Sequence, residues 1–248
     1  MNKIIEQFVS DIRKLGIMPD DIVMVHSSLK SLGWVDGGAE TVVRALIESL
    51  PQGTLLMPAL SYESVLSQDS PKKFSVTNTP SCVGAIPEAF RKFPGVIRSV
   101  HPTHSVCAYG INAKEITSRH YMDRTPVGEN SPFRLLAKYR SKILMLGCGL
   151  KPNTFMHGVE EAANLFYVLK DKLIKICVED KDGNSEEISC YMHNFKGIIQ
   201  RYDRVSECFD VKSGKVLNAD AFIIDANGLW DAAGKKLLND PWFFVDRE

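Results

Sequence analysis

Apolar and polar positions fall along the chain in two kinds of block. Asp20-Asp21 gives way to Ile22-Val23-Met24-Val25, a continuous apolar run of strand length that ends at His26 and reads as a buried strand. Gly37-Gly38 then precedes Val42, Val43, Leu46, Ile47 and Leu50, whose spacing predicts a helix that Pro51 stops. Gly53-Thr54-Leu55-Leu56-Met57-Pro58 predicts a second strand, closed by its proline. Residues 61–81 are polar and rich in Ser, Thr and Pro, which predicts a long loop of the kind that is usually functional or mobile. A helix is predicted over 83–93, with Pro87 near its first turn, where a missing N–H does no harm. A strand over 105–109 follows, then a helix over 112–119 opened by Asn112 and another over 131–139 opened by Ser131-Pro132. A third clear strand covers 142–147 and a helix covers 154–166. Strand and helix alternate throughout this stretch, so the fold class is α/β, a sheet with helices packed on it.

The pattern then changes. Residues 172–179 and 185–192 flank Asp180-Lys181-Asp182-Gly183-Asn184, where the Asp-Gly pair signals a hairpin. This predicts an antiparallel elaboration over about 172–192, at the sheet edge or in a small subdomain. A helix near 197–208, a strand over 221–224 and a closing helix over 229–238 complete the reading. No repeat, low-complexity tract or linker interrupts the chain, so residues 1–248 are expected to form one domain.

Composition changes this picture little: 44% hydrophobic and 24% charged residues are ordinary for a globular chain with a sizeable core. The longest apolar runs, such as 143–146, are far short of the ~20 residues of a membrane helix. The first residues lack the apolar core and cleavage site of a signal peptide, and a cytoplasmic protein is expected. Charge is more informative. Thirty basic and thirty acidic residues cancel, so no global field draws in nucleic acid, an anionic membrane or a polycation. The six cysteines show no C-x-x-C pair and no zinc-module spacing, and read as reduced thiols.

Four segments place polar residues at the ends of predicted strands and helices, where α/β proteins hold ligands. In His26-Ser27-Ser28-Leu29-Lys30, the backbone N–H groups and Lys30 are suited to an anion, although a serine pair is also an ordinary turn. Arg98-Ser99-Val100-His101-Pro102-Thr103-His104-Ser105 holds two histidines beside a proline. Metal binding there lacks a third ligand nearby; phosphate or hydroxyl recognition and a structural role both stay open. Asp123 and Glu129 lie on a loop that leads into the helix capped at Asn130 or Ser131. The sharpest segment runs from Gly147 to Glu161: a Gly-rich turn after a strand, then Thr154 opening a helix, His157 inside it and Glu160 at i+3 on the same face. A carboxylate beside an imidazole raises its basicity and fixes its tautomer, which suits a general base. A surface His–Glu pair on an exposed helix is the alternative.

Taken together and in order, these segments resemble the antibiotic N-acetyltransferase family, whose best-known members are aminoglycoside 3-N-acetyltransferases. The resemblance runs through His26-Ser27-Ser28-Leu29, residues 53–59, Gly84-Ala85-Ile86-Pro87-Glu88-Ala89-Phe90-Arg91, residues 94–99 and His101-Pro102-Thr103-His104-Ser105. It closes with Glu129-Asn130-Ser131-Pro132-Phe133 and Asn153-Thr154-Phe155-Met156-His157 with Glu160, spanning about residue 5 to Pro241. It implies a mixed central sheet flanked by helices with a small antiparallel elaboration, distinct from the GNAT acetyltransferases. Acetyl-CoA is the implied co-substrate, with no metal, and His26, Ser27, Ser28, Leu29, Lys30, Gly84, Ser105 and Val106 are its implied site. His157 matches the family's catalytic histidine, Glu160 its partner carboxylate and Thr154 a threonine near the reacting centre.

The implied reaction is direct N-acetylation with His157 as general base, on the 3-amino group of a 2-deoxystreptamine antibiotic, hence an antibiotic-resistance activity. An amino sugar or another small amine is the alternative acceptor, and a non-catalytic CoA-binding protein or an acyl-cysteine route through Cys107 or Cys148 are rival readings. Asp123, Glu129 and Glu161 are the candidate carboxylates for a cationic acceptor. Neither nucleic acid nor membrane is an expected partner, and a homodimer is left open.

Overall fold

The computed structural model describes residues 3–68 and 72–247. In chain order the first half holds α1 (Lys3–Leu15), β1 (Ile22–Ser27), α2 (Gly38–Glu48), β2 (Thr54–Pro58), α3 (Tyr62–Val65), β3 (Lys73–Ser75), α4 (Ala85–Arg91), β4 (Ile97–Arg98), β5 (Val106–Gly110) and α5 (Ala113–Thr117). The second half holds α6 (Pro132–Leu135), β6 (Ser141–Leu146), α7 (Phe155–Ala162), β7 (Ile174–Glu179), β8 (Ser185–Cys190), β9 (Ile198–Gln200), β10 (Lys212–Val216), β11 (Ala219–Asp225), α8 (Ala226–Asn239) and β12 (Val245–Arg247).

Three parallel strands, β6, β1 and β2, form the middle of a seven-stranded sheet ordered β10-β11-β6-β1-β2-β5-β4. Both margins are antiparallel: β11 pairs with β6 and β10 with β11, while β5 pairs with β2 and β4 with β5. The unbroken apolar run of β1 follows from burial on both faces. Val23 and Val25 pack with Phe8, Ile12, Val42, Leu46 and Phe90 on one side. Met24 packs with Phe133, Phe155, Val159 and Leu229 on the other. Helices α1, α2 and α4 therefore cover one face, and α5 to α8 the opposite one. No helix among the described residues is long and apolar enough to cross a membrane.

The elaboration expected over 172–192 is the hairpin β7–β8, whose turn is closed by Asp180 accepting the Asp182 and Asn184 N–H groups at 2.8 and 2.9 Å. It is not an extension of the main sheet. It joins β3 in a separate three-stranded sheet with its own core of Val65, Phe74, Ile176, Cys190 and Met192. The expected loop 61–81 accordingly carries α3 and β3. Arg98 braces that segment, donating to Thr79 O at 2.5 Å, Ala59 O at 2.9 Å and Ser105 Oγ at 2.9 Å.

Three other expectations change. The helix expected near 197–208 is β9 followed by a 3-10 turn, Tyr202–Glu207. β9 pairs with β12, and Arg201 and Arg204 both bind Asp246, so a remote partner overrides the local helical pattern. The helix expected to reach 166 stops at Ala162, and Asn164 adopts φ +52° just beyond it. α1 and the polar edge strand β10 are absent from the expected elements; the buried Ile5, Phe8, Ile12 and Leu15 of α1 have the helical repeat, whereas β10 is mostly exposed and carries little apolar signal.

Candidate active site

The carboxyl end of β1, the end of β2, the turn after β6 and the first turn of α7 converge on a cleft of about 740 Å³. This is the topological position at which open α/β sheets hold ligands. β1 supplies His26 and Ser27, β2 supplies Pro58, and the 147–154 turn supplies Cys148, Lys151, Asn153 and Thr154. Gly147 makes the turn possible: its φ is +72°, and a Cβ there would lie 2.6 Å from Ser31 Cβ. The floor holds Thr103 and His104, and the far wall Lys170, Met192, His193, Phe195 and Tyr202.

His157 stands in the first turns of α7, its side chain 14% exposed, with Glu160 buried one turn on. Their direct approach, Nδ1 to Oε2, is 3.4 Å. Tyr202 closes the gap: its hydroxyl lies 2.5 Å from Glu160 Oε2 and 2.7 Å from His157 Nδ1. A phenol has one proton, and a carboxylate can only accept. Tyr202 therefore donates to Glu160 and accepts from His157 Nδ1–H, which leaves the lone pair on Nε2. Burial, reinforced by the Glu160 charge, pushes the Tyr202 phenol well above its ordinary range, so it keeps its proton. Tyr167 adds a longer contact to Glu160 at 3.3 Å.

A second histidine–carboxylate pair lies behind the first. Glu161 Oε1 accepts from Val127 N–H at 2.8 Å and from His193 Nε2 at 2.9 Å. The His193 ring packs on His157, centroid to centroid 4.3 Å. The packing continues inward through His104 at 4.9 Å from His193, His101 at 6.1 Å from His104, and His120 at 4.9 Å from His101. Burial pulls His193, His104 and His120 well below the ordinary imidazole range, and lowers His101 to about 4 and His26 to about 3. These rings are neutral at pH 7. Among the described residues no three His, Cys, Asp or Glu side chains are grouped to hold a metal ion.

His157, Thr154, His26 and Ser27 line one cleft, with Glu160 directly behind His157. The remaining candidates are placed elsewhere. Ser28, Leu29 and Lys30 lie beyond the lining, with Ser28 bonded to Ser31 at 3.0 Å. Gly84 sits at the start of α4, where its neighbours Val83 and Pro87 reach the cleft instead. Ser105 binds Ala59 O at 2.7 Å and Val106 is in the core. None of the three substrate carboxylates lines the cleft. Asp123 accepts from the backbone and side chain of Asn130, Glu129 is exposed 3.8 Å from Arg134, and Glu161 is committed to Val127 and His193. Asp123 and Glu161 are taken up by N–H donors that the fold brings against them, while Glu129 stays in solvent outside the cleft.

Tyr202, His193 and Asn153 are the residues that sequence reasoning missed. Tyr202 carries no motif and falls in a segment expected to be plain helix. His193 had a weak signal, a histidine beside apolar Met192 at the end of a strand. Asn153 lies within a quoted motif, and both polar atoms of its buried amide lack a protein partner at the cleft wall.

A family model for aminoglycoside 3-N-acetyltransferase matches residues 24–238. The chain is 30% identical over 260 aligned positions to the prophage-derived aminoglycoside N(3')-acetyltransferase-like protein YokD of Bacillus subtilis (strain 168), covering 95% of this chain and 92% of that protein. The solved structure of AAC-VIa bound to sisomicin superposes with a TM-score of 0.81 at 26% identity, covering 94% of this chain and 96% of that one. AAC-IIIb in a binary complex with CoASH superposes at 0.82 and 24% identity over 95% and 96%, a likeness of fold.

Proposed function

The chain belongs to the aminoglycoside 3-N-acetyltransferase family of acyltransferases, and from that premise we propose that it transfers the acetyl group of acetyl-CoA directly to a primary amine, with His157 as general base. The observation that carries the proposal is the Tyr202 hydroxyl bridging His157 and Glu160. It fixes the imidazole as the Nδ1–H tautomer and keeps Nε2 free to take a proton. An ammonium has no lone pair, so the acceptor must lose a proton before it attacks the thioester carbonyl. Nε2 of His157 takes that proton, with the positive charge on the ring offset by Glu160 through Tyr202, and gives it to the departing CoA sulfur as the C–S bond breaks; the second proton, shed by the nitrogen once its bond to the acetyl carbon has formed, passes to solvent.

The donor for the oxyanion is the Thr154 hydroxyl on the cleft wall, an interaction worth about 3 kcal/mol in comparable sites. Acetyl-CoA enters from the His26–Ser27 end, and a relative of the same fold binds CoASH. The acyl-cysteine route is disfavoured, because burial raises the Cys148 thiol to about 11 and the Cys107 thiol to about 12, leaving neither as thiolate at neutral pH. The family points to the 3-amino group of a 2-deoxystreptamine antibiotic as acceptor, and a relative binds sisomicin; an amino sugar or other small amine would use the same chemistry. The test is free-CoA release with a panel of amines. His157→Ala should lower kcat by about a thousandfold while CoA affinity, read by calorimetry, stays unchanged. Near-wild-type turnover in that variant would sink the assignment.

A further inference from the structure

A second cavity, of about 1000 Å³, opens at the β4 margin of the main sheet and shares no lining residue with the cleft. Its basic lining comes from separate parts of the fold: Arg91 and Lys92 at the end of α4, Arg98 on β4, Lys114 on α5 and Lys181 in the β7–β8 turn. Glu88 is the carboxylate among the lining residues. We propose that this cavity binds a small phosphate-bearing polyanion, at a site separate from the acetyl-transfer cleft.

Glu88 is fully engaged. It accepts from Arg91 Nε and Nη2 and from the Ser81 N–H, each at 2.8 Å, and lies 3.0 Å from Lys92 Nζ. Arg98, 8% exposed, has no carboxylate partner: it donates to the carbonyls of Val76, Thr79 and Ala59 and to Ser105 Oγ, and packs over the Phe74 ring at 4.8 Å. Burial lowers Arg98 to about 10, which leaves it charged at pH 7. Arg91 Nη1 donates to Thr77 O at 2.6 Å, and N–H capacity remains on both terminal nitrogens. Lys114 and Lys181 are exposed and form no ion pair among the described residues. Beyond the lining, Glu115, Asp180 and Asp182 adjoin these two lysines in sequence, and Arg119 follows Ser118. Even with all of these included, the cations outnumber the carboxylates. A buried cation without a counter-charge is costly. The cations here converge from several directions, which suits a tetrahedral phosphate and its several acceptor oxygens, with the guanidinium of Arg91 as a fork.

The test is calorimetric titration of the protein with pyrophosphate, run with and without saturating CoA so that binding in the cleft is recognised by its loss. The protein should bind pyrophosphate with a sub-millimolar Kd that CoA does not abolish. The double variant Lys114→Glu/Lys181→Glu should weaken that binding at least about tenfold, with Tm unchanged. The same charge change on α1 and α8, Lys3→Glu/Lys235→Glu, lies away from β4 and should leave Kd within about twofold, because distant exposed charges are screened. If the first variant melts lower, Ser118→Glu, which adds a carboxylate to the lining, takes its place with the same tenfold threshold. Absence of pyrophosphate binding, binding that CoA abolishes, an unchanged Kd in the cavity variants, or an equal loss in Lys3→Glu/Lys235→Glu overturns the proposal. Acetyl transfer plays no part in the readout, so failure here leaves that reading standing.

Discussion

Glu160 and Glu161 are neighbours on α7, about 100° apart around the helix axis, and each meets a different histidine. Glu160 reaches His157 through the Tyr202 hydroxyl, at the margin of a cleft. Glu161 binds His193 directly at 2.9 Å, with both side chains below 5% exposure. The first pair leaves one imidazole nitrogen free beside the cavity. The second ties its histidine into a buried packing of rings with Val127 as a further anchor. A carboxylate beside a histidine is thus not a sign of catalysis in itself. Both histidines touch the cleft; what separates the pairs is exposure, 14% for the His157 side chain against 2% for His193, together with the Tyr202 hydroxyl that fixes the tautomer of the first.

The largest expected effect tests the buried side of this comparison. Five histidines (His26, His101, His104, His120 and His193) have folded-state values held below 6.5 by burial. Above pH 6.5 both folded and unfolded chains keep them neutral. Below it the unfolded chain takes up protons that the folded chain refuses, so stability falls by up to about 1.4 kcal/mol per histidine per pH unit. Burial raises Glu161 and Asp123 above their ordinary range, and these offset part of the loss lower in the acid range. Thermal melts should show a nearly level Tm from pH 7.5 to about 6.5 and a falling Tm from there to 5.5; a flat profile throughout would mean these rings are not buried neutral.

Next comes the direct contrast between the two glutamates. Glu160→Gln should reduce kcat by about a hundredfold with a modest change in Tm. Glu161→Gln should reverse the emphasis, costing roughly 2 kcal/mol of stability as charge-assisted buried bonds weaken, with little change in kcat. Equal losses of kcat in the two variants would abolish the distinction. The smallest effect sharpens it: Tyr202→Phe should lower kcat by about tenfold, the value of one charge-assisted hydrogen bond, and alter the pH–rate profile, because His157 and Glu160 lose their bridge. An unchanged profile would show that the 3.4 Å approach of His157 to Glu160 suffices alone.

Much of the central sheet was legible because its strands are short apolar runs bounded by Pro, Gly and charged residues. The His157–Glu160 pair was legible for a similar reason: i+3 spacing on a helix is local geometry, independent of the rest of the chain. Asp123 and Glu129 illustrate the opposite case. Their charges were visible, but whether each side chain met a donor or stayed in solvent was settled only by folding. Tyr202 was not legible, since nothing in Arg201-Tyr202-Asp203 signals that the phenol will reach a helix more than forty positions earlier.

By itself the sequence determined the alternation of strands and helices, the hairpin around Asp180–Asn184, the family, and the histidine most suited to act as base. These depend on spacing along the chain, and spacing is preserved whatever the chain packs against. Tertiary structure alone decided that Tyr202 links His157 to Glu160, that His193 backs His157, that the three candidate carboxylates face away from the cleft, and that Lys151 and Lys170 face it. Each of those outcomes joins residues distant in sequence. A buried polar group takes whichever partner the fold brings within about 3 Å, and local pattern carries no record of that choice.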